Sequence, residues 1–215
     1  AVAAEKKMVT ASGGEWVLVP GNSRIRTKDF YVMKYEAKKA GGVAVSQADL
    51  APWVDITQTA AVAACAALGG GAHLLIIAEA QTINRNIEAQ PANWADGKIG
   101  SLVSAGGGLK RGNVGMNDSA SYDGGRPEFG AGRNTLAKLV LSNGGEIWDW
   151  SGNVLEWIYG AGKDGTLGTP DDVTFARGAY QWDVLRRERP VIGPSNSMTA
   201  KHGMGKYYGG PTTAT

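Results

Sequence analysis

Residues 146–157 read EIWDWSGNVLEW, and within them Asp149 and Glu156 are two carboxylates flanking a short Ser-Gly-Asn segment. Two carboxylates so spaced can work as an acid/base pair or supply oxygen ligands to a hard cation. No histidine stands beside them to activate a nucleophile. A third reading needs no chemistry. The stretch is then a tight Gly-Asn turn between strands, its tryptophans filling the core and their indole N–H groups meeting backbone acceptors. Residue types alone leave these three readings open. Further on, Asp164, Asp171 and Asp172 lie among glycines and could hold calcium, but their spacing does not match an EF-hand loop, so an ordinary turn is favoured.

The rest of the chain limits the remaining chemistry. One cysteine, Cys65, excludes an internal disulfide and a thiolate-cluster zinc site within these 215 residues. Two histidines, His73 and His202, exclude a three-histidine metal site. The net charge of +2 makes no case for nucleic acid or a membrane surface. A mild basic bias does appear between Arg177 and Tyr208, where six Lys/Arg face two Asp/Glu. No apolar run approaches the ~20 residues that span a bilayer. The start, AVAAEKKMVTAS, lacks the apolar region of a secretory signal, as expected of an unsecreted soluble chain or of one already trimmed.

These residues must be positioned by a single domain, the expected organisation for this length. Glycine at 32 of 215 residues is about twice the ~7% average, which points to ordered, loop-rich backbone. EWVLVPG and DFYVMKYEA predict two strands joined by a polar turn. Residues 41–56 read as a loop. Thr57 is the expected N-cap of an alanine-rich helix, QTAAVAACAALGGG, which the glycines stop and which holds Cys65 as a small buried hydrophobe. A second helix is expected over 78–90, with Ile83 and Ile87 on its core face, Asn84, Arg85 and Glu88 pointing elsewhere, and His73 before it as a satisfied structural histidine. Residues 91–134 form a long Gly/Asn/Asp/Ser-rich coil, expected to be a packed or functional irregular segment. TLAKLVLSNGGEIWDW then predicts a strand, a turn and the opening motif.

GNVLEW resembles the GNVWEW signature of the formylglycine-generating-enzyme family, a branch of the C-type lectin fold. EWVLVPG with FYVMKYEA, TAAVAACAALG, HLLIIAEAQTINRNIE and RGAY follow in that family's order, so the resemblance covers about residues 15–182. It implies an α+β fold, with two helices packed on small antiparallel sheets and long ordered loops. It also implies a calcium loop made by Asp149, Glu156 and the carbonyls of Gly152 and Val154, although many relatives keep the motif only as structure. The chain departs from the catalytic members. It lacks the C-terminal cysteine pair of the copper oxidases, the histidine set of the iron sulfoxide synthases, and the disulfides and sugar–calcium motifs of lectins.

What remains resembles the variable protein of a diversity-generating retroelement, a constant scaffold whose C-terminal segment is rewritten by adenine-directed mutagenesis. ARGAYQWDVLRRERPVIGPSNSMTAKHGMGKYYGG follows that layout, with LRRE, GPSN and GMG as anchors and GMGKYY where the family has NIGFR. The scaffold is then 1–176 and the variable segment 177–210. Mutagenesis of AAC or AAT codons yields NNC or NNT. Tyr180, Asp183, Arg189, Pro190 and Val191 are then candidate ligand-binding positions, as are Ser197, Thr199, His202, Tyr207 and Tyr208. Gln181, Trp182, Glu188, Met198, Lys201, Met204 and Lys206 are templated under that rule. Trp182 remains a candidate contact, with core packing as its competing role. Tyrosine and arginine on a rigid scaffold supply contact area at low entropic cost. The expectation is a non-enzymatic binding protein, exposed on a cell or virion surface and recognising a protein or cell-surface partner. It requires no cofactor and carries calcium at most. A diverged oxidase using Asp149 or Glu156, and a structural surface or virion subunit, are the competing readings.

Overall fold

The computed structural model describes residues 8–11, 13–48, 51–102, 105–110, 135–150, 156–160 and 173–175. Strands β1 (Met8–Ala11), β2 (Gly14–Val19) and β3 (Phe30–Met33) form an antiparallel sheet with β2 in the centre. Val17, Leu18 and Val19 run consecutively apolar and all three are buried, because both faces of this central strand are covered. The expected pair of strands is therefore present, with β1 added at the edge of β2.

Residues 41–56, expected as a loop, instead begin with a second hairpin. β4 (Lys38–Ala40) pairs with β5 (Val43–Val45) around Gly41 and Gly42, whose φ values of 58° and 85° suit glycine in a tight turn. Gly14 locks this hairpin to the sheet. Its φ is 95°, and a Cβ there would collide with the Ser46 carbonyl, while the Glu15 N–H donates to Ser46 O at 3.0 Å.

Helix α1 (Gln58–Ala66) starts where expected, with Thr57 Oγ1 accepting from the Ala60 N–H at 3.2 Å. Alanines on every side give it no strong apolar stripe, so only Ala61 is buried along its length. Cys65 is half-buried rather than enclosed.

Helix α2 (Ile77–Glu88) carries the main core face. Ile83 and Ile87 pack with Val17, Val19, Leu139, Leu141 and Ile147, which places the core between the sheet, α2 and a third hairpin. That hairpin pairs β6 (Lys138–Val140) with β7 (Glu146–Trp148). Glu88 lies off the Ile83–Ile87 face. It is buried near the helix end and ion-paired with Arg85, which it meets one turn away. Asn86 is buried too and donates to the Pro20 and Thr82 carbonyls at 3.0 Å.

The start of the glycine-rich coil is ordered by side-chain hydrogen bonds. After a short 3-10 turn at Pro91–Asn93, the fully buried Asn93 donates to the Ile87 and Val140 carbonyls and accepts from the Val140 N–H, each at 2.8 Å. Trp94, also buried, donates its indole N–H to Glu88 O at 3.0 Å. Residues 111–134 lie outside the described residues. Finally β8 (Ile158–Gly160) pairs antiparallel with β9 (Val173–Phe175). Among the described residues the architecture is α+β, with two α-helices and small antiparallel sheets. No described helix is long and apolar enough to cross a membrane.

Candidate functional site

The tryptophan-rich motif opens with β7. The Trp148 N–H donates to Lys34 O at 2.8 Å, just beyond β3, and the Asp149 N–H donates to Ala137 O at 3.0 Å. Asp149 takes a left-handed φ of 58° and is 1% exposed. Aspartate is among the few non-glycine residues that tolerate this conformation, so the chain turns sharply here at modest cost.

Two indoles then fasten the motif to both helices. Trp150 Nε1 donates to Asn84 Oδ1 of α2 at 2.8 Å, and Trp157 Nε1 donates to Ile56 O, just ahead of α1, at 2.7 Å. Gln58 at the first turn of α1 returns the contact, donating to Ile158 O at 2.8 Å. Trp157 thus meets the backbone acceptor expected of a packed indole, whereas Trp150 uses a side chain. Trp150 packs against the core without being enclosed, and Trp148 is likewise half-buried. Both line a cavity.

Of the proposed calcium donors, Asp149 is buried and Glu156 is exposed, and the Ser-Gly-Asn segment between them lies outside the described residues. Hard carboxylate oxygens of this kind suit calcium. Gly152 and Val154 lie outside the described residues, as do Asp164, Asp171 and Asp172. The same holds for Tyr180, Trp182, Asp183, Arg189, Pro190, Val191, Ser197, Thr199, His202, Tyr207 and Tyr208. Among the described residues, no three His, Cys, Asp or Glu side chains gather as a metal-binding group.

The cavity, of about 540 Å³, gathers residues that sequence spacing kept apart. Its wall combines the three-stranded sheet, the end of α1, the Gly69–Leu75 loop and the tryptophan motif. Cys65, His73, Glu79 and Glu156 all reach it. Beside them the Tyr35 and Trp148 rings lie 6.4 Å apart, tilted by 31°.

A cysteine and a histidine on one wall invite a nucleophilic reading, and their environments argue against it. His73 Nε2 lies 3.0 Å and 3.1 Å from the two Glu79 oxygens, and Nδ1 lies 3.1 Å from Gly71 O. The hydrogen bond to Glu79 dominates and, with the Gly71 carbonyl, raises the imidazole to about 9 against the opposing effect of burial. Both ring nitrogens therefore donate at neutral pH, and neither has a lone pair with which to take a proton. Burial pushes the Cys65 thiol up, away from the reactive thiolate. His73 is satisfied structurally, as its position before α2 implied. The shared cavity had no local signal, because it is assembled from sheet, loop and hairpin.

Comparison with family models, curated proteins and solved structures finds no match to this chain.

Proposed function

We propose that the protein is a ligand-binding scaffold, and specifically a display protein whose segment 177–210 is diversified by a retroelement. The observation that carries this reading is the bracing of the motif upstream of that segment. Backbone and indole hydrogen bonds tie Trp148, Asp149, Trp150 and Trp157 to Lys34 just beyond β3, to Ala137 just before β6, to α2 and to Ile56 ahead of α1. A binding surface that changes sequence needs a base whose stability does not depend on it. The signature-like GNVLEW with RGAY, and the Tyr- and Arg-bearing segment after it, supply the two parts. The partner is a protein or cell-surface ligand, met at an exposed surface. In this reading Asp149, Gly152, Val154 and Glu156 can hold calcium, which would brace the motif and take no part in chemistry.

The reading is tested with an NNC/NNT library at the ten candidate positions, from Tyr180 to Tyr208. Displayed on yeast and challenged with protease, most members should remain folded. General collapse of the library would show that these side chains are core and would remove the proposal.

A further inference from the structure

The turn between β6 and β7 carries a reactive pair of residues whose chemistry is independent of the binding role proposed above. Asn143 and Gly144 are the one Asn-Gly pair in the sequence. Asparagine is thermolabile because the backbone nitrogen that follows it can attack its side-chain amide. Glycine in the next position favours that attack, since no Cβ shields the nitrogen and its backbone rotates freely. Gly144 is exposed, so water and hydroxide reach it, and its φ of 77° is left-handed.

The fold nevertheless holds every group that would react. The Gly144 N–H, the nucleophile, donates to Leu141 O at 2.8 Å. Asn143 Nδ2, the leaving group, donates to Leu18 O of β2 at 2.9 Å, and Oδ1 accepts from the Gly145 N–H at 2.9 Å. Leu18 and Leu141 are buried, and Gly145 packs so closely that a Cβ there would collide with Val17. These anchors belong to the core. Freeing the two nitrogens therefore requires the turn to come away from β2.

We propose that Asn143 is a spontaneous deamidation site gated by the fold, reacting when the β6–β7 turn opens and then loosening the hairpin that leads into the tryptophan motif. In the opened turn the Gly144 nitrogen loses its proton and bonds to Asn143 Cγ. The Cγ–Nδ2 bond breaks, and ammonia leaves carrying a proton in exchange, which closes a cyclic imide. Water then opens the ring. Cleavage between the nitrogen and Cγ gives aspartate, and cleavage at the main-chain carbonyl gives isoaspartate, whose backbone runs through Cβ. Either product puts a carboxylate oxygen where Nδ2 donated, so Leu18 O loses its donor. Isoaspartate also lengthens the turn by one backbone atom, against the close fit of Gly145 on Val17.

The test incubates the full chain at mildly alkaline pH, folded in buffer and unfolded in guanidinium chloride, with sodium chloride matching the ionic strength. Peptide mass spectrometry follows the loss of the Asn143 amide, and an isoaspartyl methyltransferase assay separates the two products. Asn143 should convert in both samples, at least about tenfold more slowly in the folded chain, because only the opened fraction reacts. Asn143→Asp installs one product directly and should lower the guanidinium midpoint of unfolding. The aged parent should develop a population with the same lowered midpoint. Equal rates in the folded and unfolded chains would overturn the gating, and an unfolded chain that keeps its Asn143 amide would overturn the site. A folded Asn143→Asp protein with an unchanged midpoint would overturn the loosening of the hairpin. The rate comparison uses the unaltered chain, so it stands whether or not that variant folds.

Discussion

The Trp150 indole N–H donates to Asn84 Oδ1 at 2.8 Å, joining the tryptophan motif to the middle of α2 across 66 positions of sequence. Asn84 lies off the Ile83–Ile87 core face, so it contributes through polar contact rather than apolar burial. Asn84→Ala leaves a partly buried indole donor without its acceptor and should cost about 1–2 kcal/mol in denaturant unfolding. Asn84→Asp keeps the acceptor oxygen and should cost less. Equal losses would mean that the side chain's volume, not the hydrogen bond, is what matters.

Asn93 performs a similar task where the glycine-rich coil begins. Its side chain makes three hydrogen bonds that link the end of α2 to β6. Asn93→Ala should lower stability by roughly 2–4 kcal/mol, since buried partners lose their counterparts together. Urea unfolding would show this as a lower midpoint at an unchanged slope.

Gly14 should resist substitution for two reasons at once. Its φ of 95° is unfavourable for any L side chain, and an added Cβ meets the Ser46 carbonyl. Gly14→Ala is expected to cost about 1–3 kcal/mol, with Gly41→Ala milder because nothing lies near its Cβ. Thermal melts of the two variants provide the comparison.

Several of these relationships were legible in the chain. Thr57 before an alanine run marks an N-cap, and Ile83 with Ile87 marks a helical core face, because both signals are local. The β4–β5 hairpin was not legible. Its strands have three residues each, and the fully buried Lys38 disguises one of them as solvent-facing. Glu88 lies off the Ile83–Ile87 core face as its spacing implies, but its burial beside the partly buried Arg85 has no local signal. Neither the cavity nor the meeting of Cys65, His73, Glu79 and Glu156 on its wall has a periodicity, since four separate segments contribute. The candidate binding positions after residue 176 came from codon logic and family layout, and no described residue bears on them.

The His73–Glu79 pair gives stability a direction with pH. The folded-state imidazole is raised above 6.5 to about 9. Its contribution is therefore full below pH 6.5 and declines as pH rises through about 9. The ring is 42% exposed, so the effect is small. His73→Gln should flatten the stability profile between those pH values, as read from melting temperature in buffers of constant ionic strength. A profile identical to that of the parent would show that the pair contributes nothing.

Calcium held as proposed at the motif would have a thermodynamic signature. At a concentration 100 times its dissociation constant, a ligand that binds only the folded state stabilises it by about 2.7 kcal/mol. Calcium should therefore raise the melting temperature and a chelator should reverse the rise. Asp149→Asn and Glu156→Gln should each abolish the response. Glu156 is exposed, so its variant should fold normally and isolates the metal effect from stability.

The most direct measurement of the central claim is the DNA sequence around the coding region. The expected result is a second copy of the codons for residues 177–210, nearly identical and differing only at adenines, beside a reverse-transcriptase gene. Flanking sequence with neither a repeat nor a reverse transcriptase would contradict diversification by a retroelement.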